Sequence, residues 1–259
     1  LRTFTAEHGN DFTFLVGPAL GHVTRIVSVV NEIVKISDAH ITLISPDTRP
    51  YLGRLAPANC NVLMVAIEQG KPGFMSFAPS VEKYFAENPC DLIILDMDPL
   101  NWISTTRFPE IPQVYITNIF LTRLSDRSTF QKVKFRSLSN EINKIRRHKK
   151  LDELTAIEEI YERDLILLAD PLNVIGLHDR LPNNYLPVGP CSLDEGDTEL
   201  PKELLSLDNV LLISFGSTGD INLVQPAIEV LLEHHHFEAI IWVGEKPECA
   251  DFTDAPVTY

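Results

Sequence analysis

Phe12-Thr13-Phe14-Leu15-Val16-Gly17-Pro18-Ala19-Leu20-Gly21-His22-Val23-Thr24-Arg25 is the stretch on which the fold turns. An apolar run, Phe12–Val16, stops at a glycine-rich turn, and a helix follows from about His22 to Ile36. In that helix Ile26, Val29, Val30, Ile33 and Val34 recur at helical spacing and form one apolar face. A buried strand that passes through a tight turn into a helix opens a Rossmann-like unit. The turn also aims backbone N–H groups, and the positive end of the helix dipole, at whatever sits above the strand. The spacing is Gly17-x-x-x-Gly21-His22, which differs from the Gly-x-Gly-x-x-Gly dinucleotide pattern. On the glycines alone, a plain strand-to-helix turn stays open as a reading.

Outward from this stretch, strand-like and helix-like runs alternate along the chain, the mark of an α/β fold with a mainly parallel sheet. His40–Ser45 and Val62–Ile67 read as the second and third strands. The third is almost wholly apolar, which predicts cover on both faces. Asp91–Met97 is the fourth and Gln113–Thr117 the fifth, followed by a long helical stretch from about Ser125 to Arg163. Leu165–Leu168 and Val174–Gly176 read as short strands, and Leu186-Pro187-Val188-Gly189-Pro190 begins a linker. The pattern then restarts with a strand Asn209–Phe215, a loop Gly216–Gly219, a helix Asn222–His234 and a strand Ala239–Val243. Residues 1–189 are thus expected to form one Rossmann-like domain, 190–207 a linker, and 208–259 the beginning of a second Rossmann-like domain. That second segment is too short for a core of its own, so it is expected to be incomplete. The start at Leu1, with no initiator Met or signal-peptide pattern, is expected to reflect trimming.

Composition narrows the function classes. The 259 residues carry a net charge of −14, which disfavours nucleic acid as a partner. The charge is uneven: Arg123–Lys150 holds ten Lys/Arg against Asp126 and Glu141. That basic segment suits a peripheral contact with an anionic membrane or a phosphate-bearing acceptor. Its plainer reading is a solvated helical face packed through Phe130, Phe135, Leu138, Ile142 and Ile145. Cys60, Cys90, Cys191 and Cys249 have neither zinc nor redox spacing, and a cytoplasmic protein without a disulfide framework is expected. No run reaches the roughly 20 apolar residues of a transmembrane helix.

Two strand ends carry the candidate chemistry. A helix N-terminus disfavours imidazolium, so His22 is expected to be a neutral proton acceptor. In the usual doubly wound order the first and fourth strands are neighbours at the switch point, where ligands bind beyond the carboxyl ends. Asp96, at the end of the fourth strand, is then placed to orient His22, while Asp98 before Pro99 reads as a turn residue. Gly216, Ser217 and Thr218 end another strand, where small residues and hydroxyls let the backbone approach a diphosphate.

The order of these segments resembles the GT-B glycosyltransferases, above all the UDP- and TDP-sugar-dependent enzymes that act on natural products and lipids. The resemblance is carried by Gly17–Arg25, Asp91–Asp96, Leu186–Pro190 and Val210–Thr218, with Asn143–Arg147 and Asp164–Asp170 between them. It implies an acceptor-binding N-terminal domain and a nucleotide-sugar-binding C-terminal one. No cofactor or essential metal is expected, with a nucleotide-diphosphate sugar as co-substrate. It implies inverting transfer in which His22 deprotonates the acceptor hydroxyl and Asp96 orients it. Gly17, Gly21 and Thr24 would lie in the loop facing the acceptor, and Gly216, Ser217 and Thr218 near the donor diphosphate. The later His-Gly-Gly-rich donor element would fall beyond Tyr259, leaving this chain without a complete donor site. A nucleotide-sugar epimerase of the same architecture and a non-catalytic GT-B-like subunit are the alternatives.

Two further features are read conservatively. His234, His235 and His236 point different ways on a helix, so they are not expected to share a metal. Phe74, Met75 and Phe77, after Gly70-Lys71-Pro72-Gly73, either line an acceptor pocket or fold back onto the core.

Overall fold

The computed structural model describes residues 10–119, 122, 124, 129–171, 181–193, 208–214, 224–243 and 257–258. The chain divides into two compact units, Leu1–Pro18 with His22–Leu193, and Asp194–Tyr259 with the short segment Ala19–Gly21. The first unit is built on a seven-stranded sheet in the order β3-β2-β1-β4-β5-β6-β7, with every neighbouring pair parallel. Its strands are β1 (Asp11–Val16), β2 (His40–Pro46), β3 (Asn61–Val65), β4 (Leu92–Asp96), β5 (Gln113–Thr117), β6 (Leu165–Leu168) and β7 (Tyr185–Pro187). β1 and β4 lie side by side, in a register that sets Val16 opposite Asp96.

Side chains alternate between the faces of this sheet. Phe14, Val16 and Ile94 join the core beneath the helix α1 (Leu20–Ile36). Leu15, Ile93 and Leu95 join the opposite core, beneath α3 (Gly73–Glu87) and α5 (Thr129–His148). Among the described residues this unit also has two short helices, α2 (Tyr51–Leu55) and α4 (Pro99–Trp102), with a 3-10 turn at Ile157–Ile160. Asp96 follows Ile94 by two residues, so the alternation that builds the core also turns its side chain toward α1.

Several expectations change. β3 is the edge strand, and Val62 and Leu63 are 38% and 39% exposed where cover on both faces was predicted. In α1 the fully buried residues are Val23, Ile26, Val27 and Val30, while Val29, Ile33 and Val34 are only partly buried. Phe74 and Phe77 belong to α3 and are buried in the core, which settles them as packing residues. The long helix ends at His148, well before Arg163. There the Lys150 N–H bonds the Arg147 carbonyl and the Leu151 N–H reaches back to Arg146. With Lys150 in the left-handed region at φ 56°, this is a Schellman stop without a glycine. The expected linker phrase begins inside β7, which pairs with β6 through Ile166–Tyr185. Val174–Gly176 lies outside the described residues.

The basic segment is partly neutralised within the chain. Arg147 pairs with Glu153 at 2.9 Å and Lys149 with Glu82 at 2.9 Å, while Arg146 bonds the carbonyls of Asp152 and Ser104. Phe135 and Ile142 are buried, and Leu138 and Ile145 pack against the core. The side chain of Phe130 lies outside what is described. Among the described residues no helix is long and apolar enough to cross a membrane.

The second unit contains a parallel three-stranded sheet in the order β10-β9-β8, from β8 (Val210–Ser214), β9 (Ala239–Val243) and β10 (Val257–Thr258). Helix α6 (Val224–His234) joins β8 to β9.

Candidate active site

The site forms where β1 and β4 end. The Gly17 N–H donates to the Asp96 carbonyl at 2.7 Å, carrying the ladder one residue past β1. The chain then turns into α1, and its first turn carries His22 back over the strand tips. The imidazole Nδ1 lies 2.6 Å from Asp96 Oδ1. Asp96 is buried, with a side chain 2% exposed, whereas that of His22 is 23% exposed. The orienting group is therefore sealed and the ring it holds remains open to an incoming molecule.

Gly17 has a steric reason. A Cβ added there would stand 2.6 Å from His22 Cδ2 and 2.9 Å from Cγ, so any side chain would push the ring off Asp96. Gly21 is different: among the described residues a Cβ there would meet no atom within 4 Å. Thr24 is half-buried on α1. Gly216, Ser217 and Thr218 lie outside the described residues.

Arg25 completes the site, and sequence reasoning missed it as a functional residue. It lies three positions after His22, hence on the same face of α1. Its Nε stands 2.8 Å from Asp96 Oδ2, a charge contact without the alignment of a hydrogen bond. Arg25 Nη1 also donates to Asn118 Oδ1 at 3.1 Å, and Asn118 Nδ2 donates to Asp170 Oδ1 at 2.8 Å. The Ile119 N–H donates to Asp170 Oδ2 at 2.5 Å. Asn118 and Asp170 follow β5 and β6, so the polar chain His22–Asp96–Arg25–Asn118–Asp170 crosses three adjacent strand tips. The available signal was the repeated pattern of an apolar strand closed by a carboxylate, present at Asp96 and again at Asp170.

Burial pushes the Asp96 carboxyl above the usual carboxylate range, opposed by the His22 hydrogen bond and then by the charges of His22 and Arg25. An ionised carboxylate can only accept, so it places a proton on Nδ1 in the 2.6 Å bond, and a neutral ring so held would offer the lone pair of Nε2. Asp98 is engaged away from His22, accepting from the Asn101 amide and the Tyr161 hydroxyl. It caps α4, accepting from the Leu100 N–H at 3.1 Å.

A cavity of about 450 Å³ lies elsewhere, at the amino end of the sheet, lined by Gln113, Arg146, Glu162, Arg163 and Asp164 among others. Its carboxylates are engaged: Glu162 accepts from the Tyr185 hydroxyl and Asp164 from the Gln113 N–H. The His22–Asp96 pair, a half-buried imidazole over a buried carboxylate, is the better candidate centre for chemistry. Among the described residues no three His, Cys, Asp or Glu side chains gather as a metal would require.

No family model matches the chain, and no curated protein matches it in sequence. Solved structures do match. The glycotransferase of kitacinnamycin superposes with a TM-score of 0.62 at 14% identity, over 97% of this chain and 70% of its own. The calicheamicin glycosyltransferase gives 0.60 at 16% identity, over 93% of this chain and 66% of its own. The chain has the GT-B fold. A UDP-glucose:anthocyanidin 3-O-glucosyltransferase in complex with UDP also matches, with a TM-score of 0.54 at 12% identity, over 93% of this chain and 68% of that one. The GT-B chain described here therefore spans 66–70% of the length of these three glycosyltransferases.

Proposed function

We propose that this GT-B chain acts in an inverting glycosyltransferase, moving a sugar from a nucleotide-diphosphate sugar to an acceptor hydroxyl. The observation that carries this reading is the 2.6 Å contact between His22 Nδ1 and the buried Asp96. With Nδ1–H committed to Asp96, Nε2 takes the proton of the acceptor hydroxyl as its oxygen attacks the anomeric carbon. The new C–O bond forms as the bond to the diphosphate breaks, and the nucleoside diphosphate leaves with the electron pair. One displacement inverts the anomeric configuration. Asp96 stabilises the imidazolium formed in the step. In this reading Gly216, Ser217 and Thr218 serve the diphosphate through backbone N–H groups and hydroxyls. The bound UDP of the anthocyanidin enzyme supports a nucleotide of this class as the donor's leaving group.

The test is a product screen with the full-length protein, a panel of nucleotide-diphosphate sugars and hydroxylated small molecules, read by mass spectrometry and NMR. The reading predicts an acceptor heavier by one glycosyl unit, with its anomeric centre inverted. Conversion of the nucleotide sugar to its epimer with no acceptor product would contradict it.

A further inference from the structure

A cation in contact with a base's orienting carboxylate needs an explanation, because it offsets the negative charge that would strengthen the base. Arg25 is built firmly into that position, with a side chain only 13% exposed. The Asn118 amide has one orientation that serves both neighbours, oxygen toward the guanidinium and nitrogen toward the Asp170 carboxylate. Asp170, itself buried, is fixed by the Ile119 N–H. The guanidinium is thus held between Asp96 on one side and an anchored amide on the other.

The state in which His22 can accept a proton, a neutral ring over an ionised Asp96, carries one net negative charge. Burial works against that charge. We propose that Arg25 is a positioning residue of the dyad: anchored by Asn118 and Asp170, its guanidinium keeps Asp96 an ionised acceptor and leaves His22 Nε2 unprotonated near neutral pH. The proposal rests on His22 being the base. The other titratable groups facing Asp96 do not substitute for Arg25. Burial pushes up both the Tyr115 hydroxyl on β5 and the Cys191 thiol after β7, so neither is charged. Asp98 and Asp170 supply no cation and are engaged elsewhere, Asp98 with the Leu100 N–H and Asp170 with Asn118 and the Ile119 N–H. Among the described residues Arg25 is the cation in contact with Asp96, beside the hydrogen-bonded His22 ring.

The direction of the effect follows from charge. Removing a contacting cation makes the His22–Asp96 pair hold its shared proton to higher pH. NMR titration of the labelled imidazoles in this chain, with the His22 signal assigned by its loss in His22→Asn, reads that directly. Arg25→Gln is expected to move the midpoint up by about one pH unit or more. Arg25→Lys, which retains the charge, moves it by less than half as much. A folded Arg25→Gln protein with an unmoved midpoint overturns the proposal. Should Arg25→Gln not fold, the Asp96 carboxyl ¹³C shift in the unaltered chain decides: ionised at pH 7 supports it, protonated overturns it. Turnover separates this proposal from the one it rests on. A shifted midpoint together with a fully active His22→Ala enzyme would refute the base assignment while leaving Arg25's hold on the pair intact.

Discussion

The two ends of the seven-stranded sheet use the same residue type in opposite ways. At the amino end, Asp91 accepts from the Asp11 N–H at 2.9 Å and Asp164 from the Gln113 N–H at 2.8 Å, both in exposed settings. Each carboxylate satisfies the first amide of a neighbouring strand, which would otherwise lack a ladder partner. At the carboxyl end, Asp96 and Asp170 are buried, and they hold an imidazole, a guanidinium and a carboxamide. The first pair completes backbone structure. The second pair works against burial to hold side chains in place, an arrangement that stability alone does not require. A carboxylate at a strand end therefore says little until it is known which end, and what it binds.

Substitutions at either end put this contrast at risk. The largest effect is expected from Asp96→Asn, which removes the fixed acceptor for Nδ1. Turnover of the full-length enzyme should fall on the order of 10²–10⁴-fold. Asp98→Asn, two residues on, should stay within a few-fold, and equal losses from both changes would erase the distinction drawn between them. Gly17→Ala comes next, because its new Cβ would meet the imidazole at 2.6 Å. A displaced ring should cost turnover on the order of 10²-fold, with the loss in kcat rather than in fold as judged by circular dichroism.

Changes at the amino end should be smaller and of another kind. Asp91→Ala or Asp164→Ala each removes one backbone cap and should cost about 0.5–1.5 kcal/mol in urea unfolding. Turnover should stay within about two-fold of wild type, since these carboxylates make no contact with the dyad. Smallest of all is Glu159→Gln, at an exposed position of the 3-10 turn. The Thr155 hydroxyl and then its N–H hold the Glu159 carboxyl below its ordinary value of 4.5. An acid lowered by folding contributes stability above its unfolded value and loses it as pH falls through the folded one. The Tm deficit of Glu159→Gln should therefore be small at pH 7 and should vanish in acid. A deficit that grew toward low pH would reverse the sign.

Much of the fold was legible because parallel strands buried on both faces read as apolar runs, and Phe12–Val16, Asp91–Asp96 and Leu165–Leu168 all do. Edge position was not legible: Val62 and Leu63 look like core residues in sequence yet lie on the outermost strand. Helix α3 was hidden by Gly70, Pro72, Gly73 and Pro79, whose loop-like chemistry masked Phe74, Phe77, Ala78 and Val81 at helical spacing. The end of α5 was hidden because Lys150, and not a glycine, takes the left-handed position. In the site, His22 and Asp96 were legible from strand order and helix polarity. Arg25, Asn118 and Asp170 were not, since their roles depend on which strand tips are neighbours and on which face each side chain leaves. The loop Gly216–Thr218 lies outside the described residues, and the donor role proposed for it rests on its small and hydroxyl side chains and on the resemblance.

In the proposed reaction, catalysis depends on an imidazole that accepts a proton while a buried carboxylate holds its other nitrogen. Steady-state kcat/KM of His22→Ala in the full-length enzyme, at the wild-type pH optimum and with an unchanged Tm, tests this most directly. A fall on the order of 10²–10⁴-fold is predicted. Turnover within a few-fold of wild type would remove His22 from the chemistry and leave the dyad as packing.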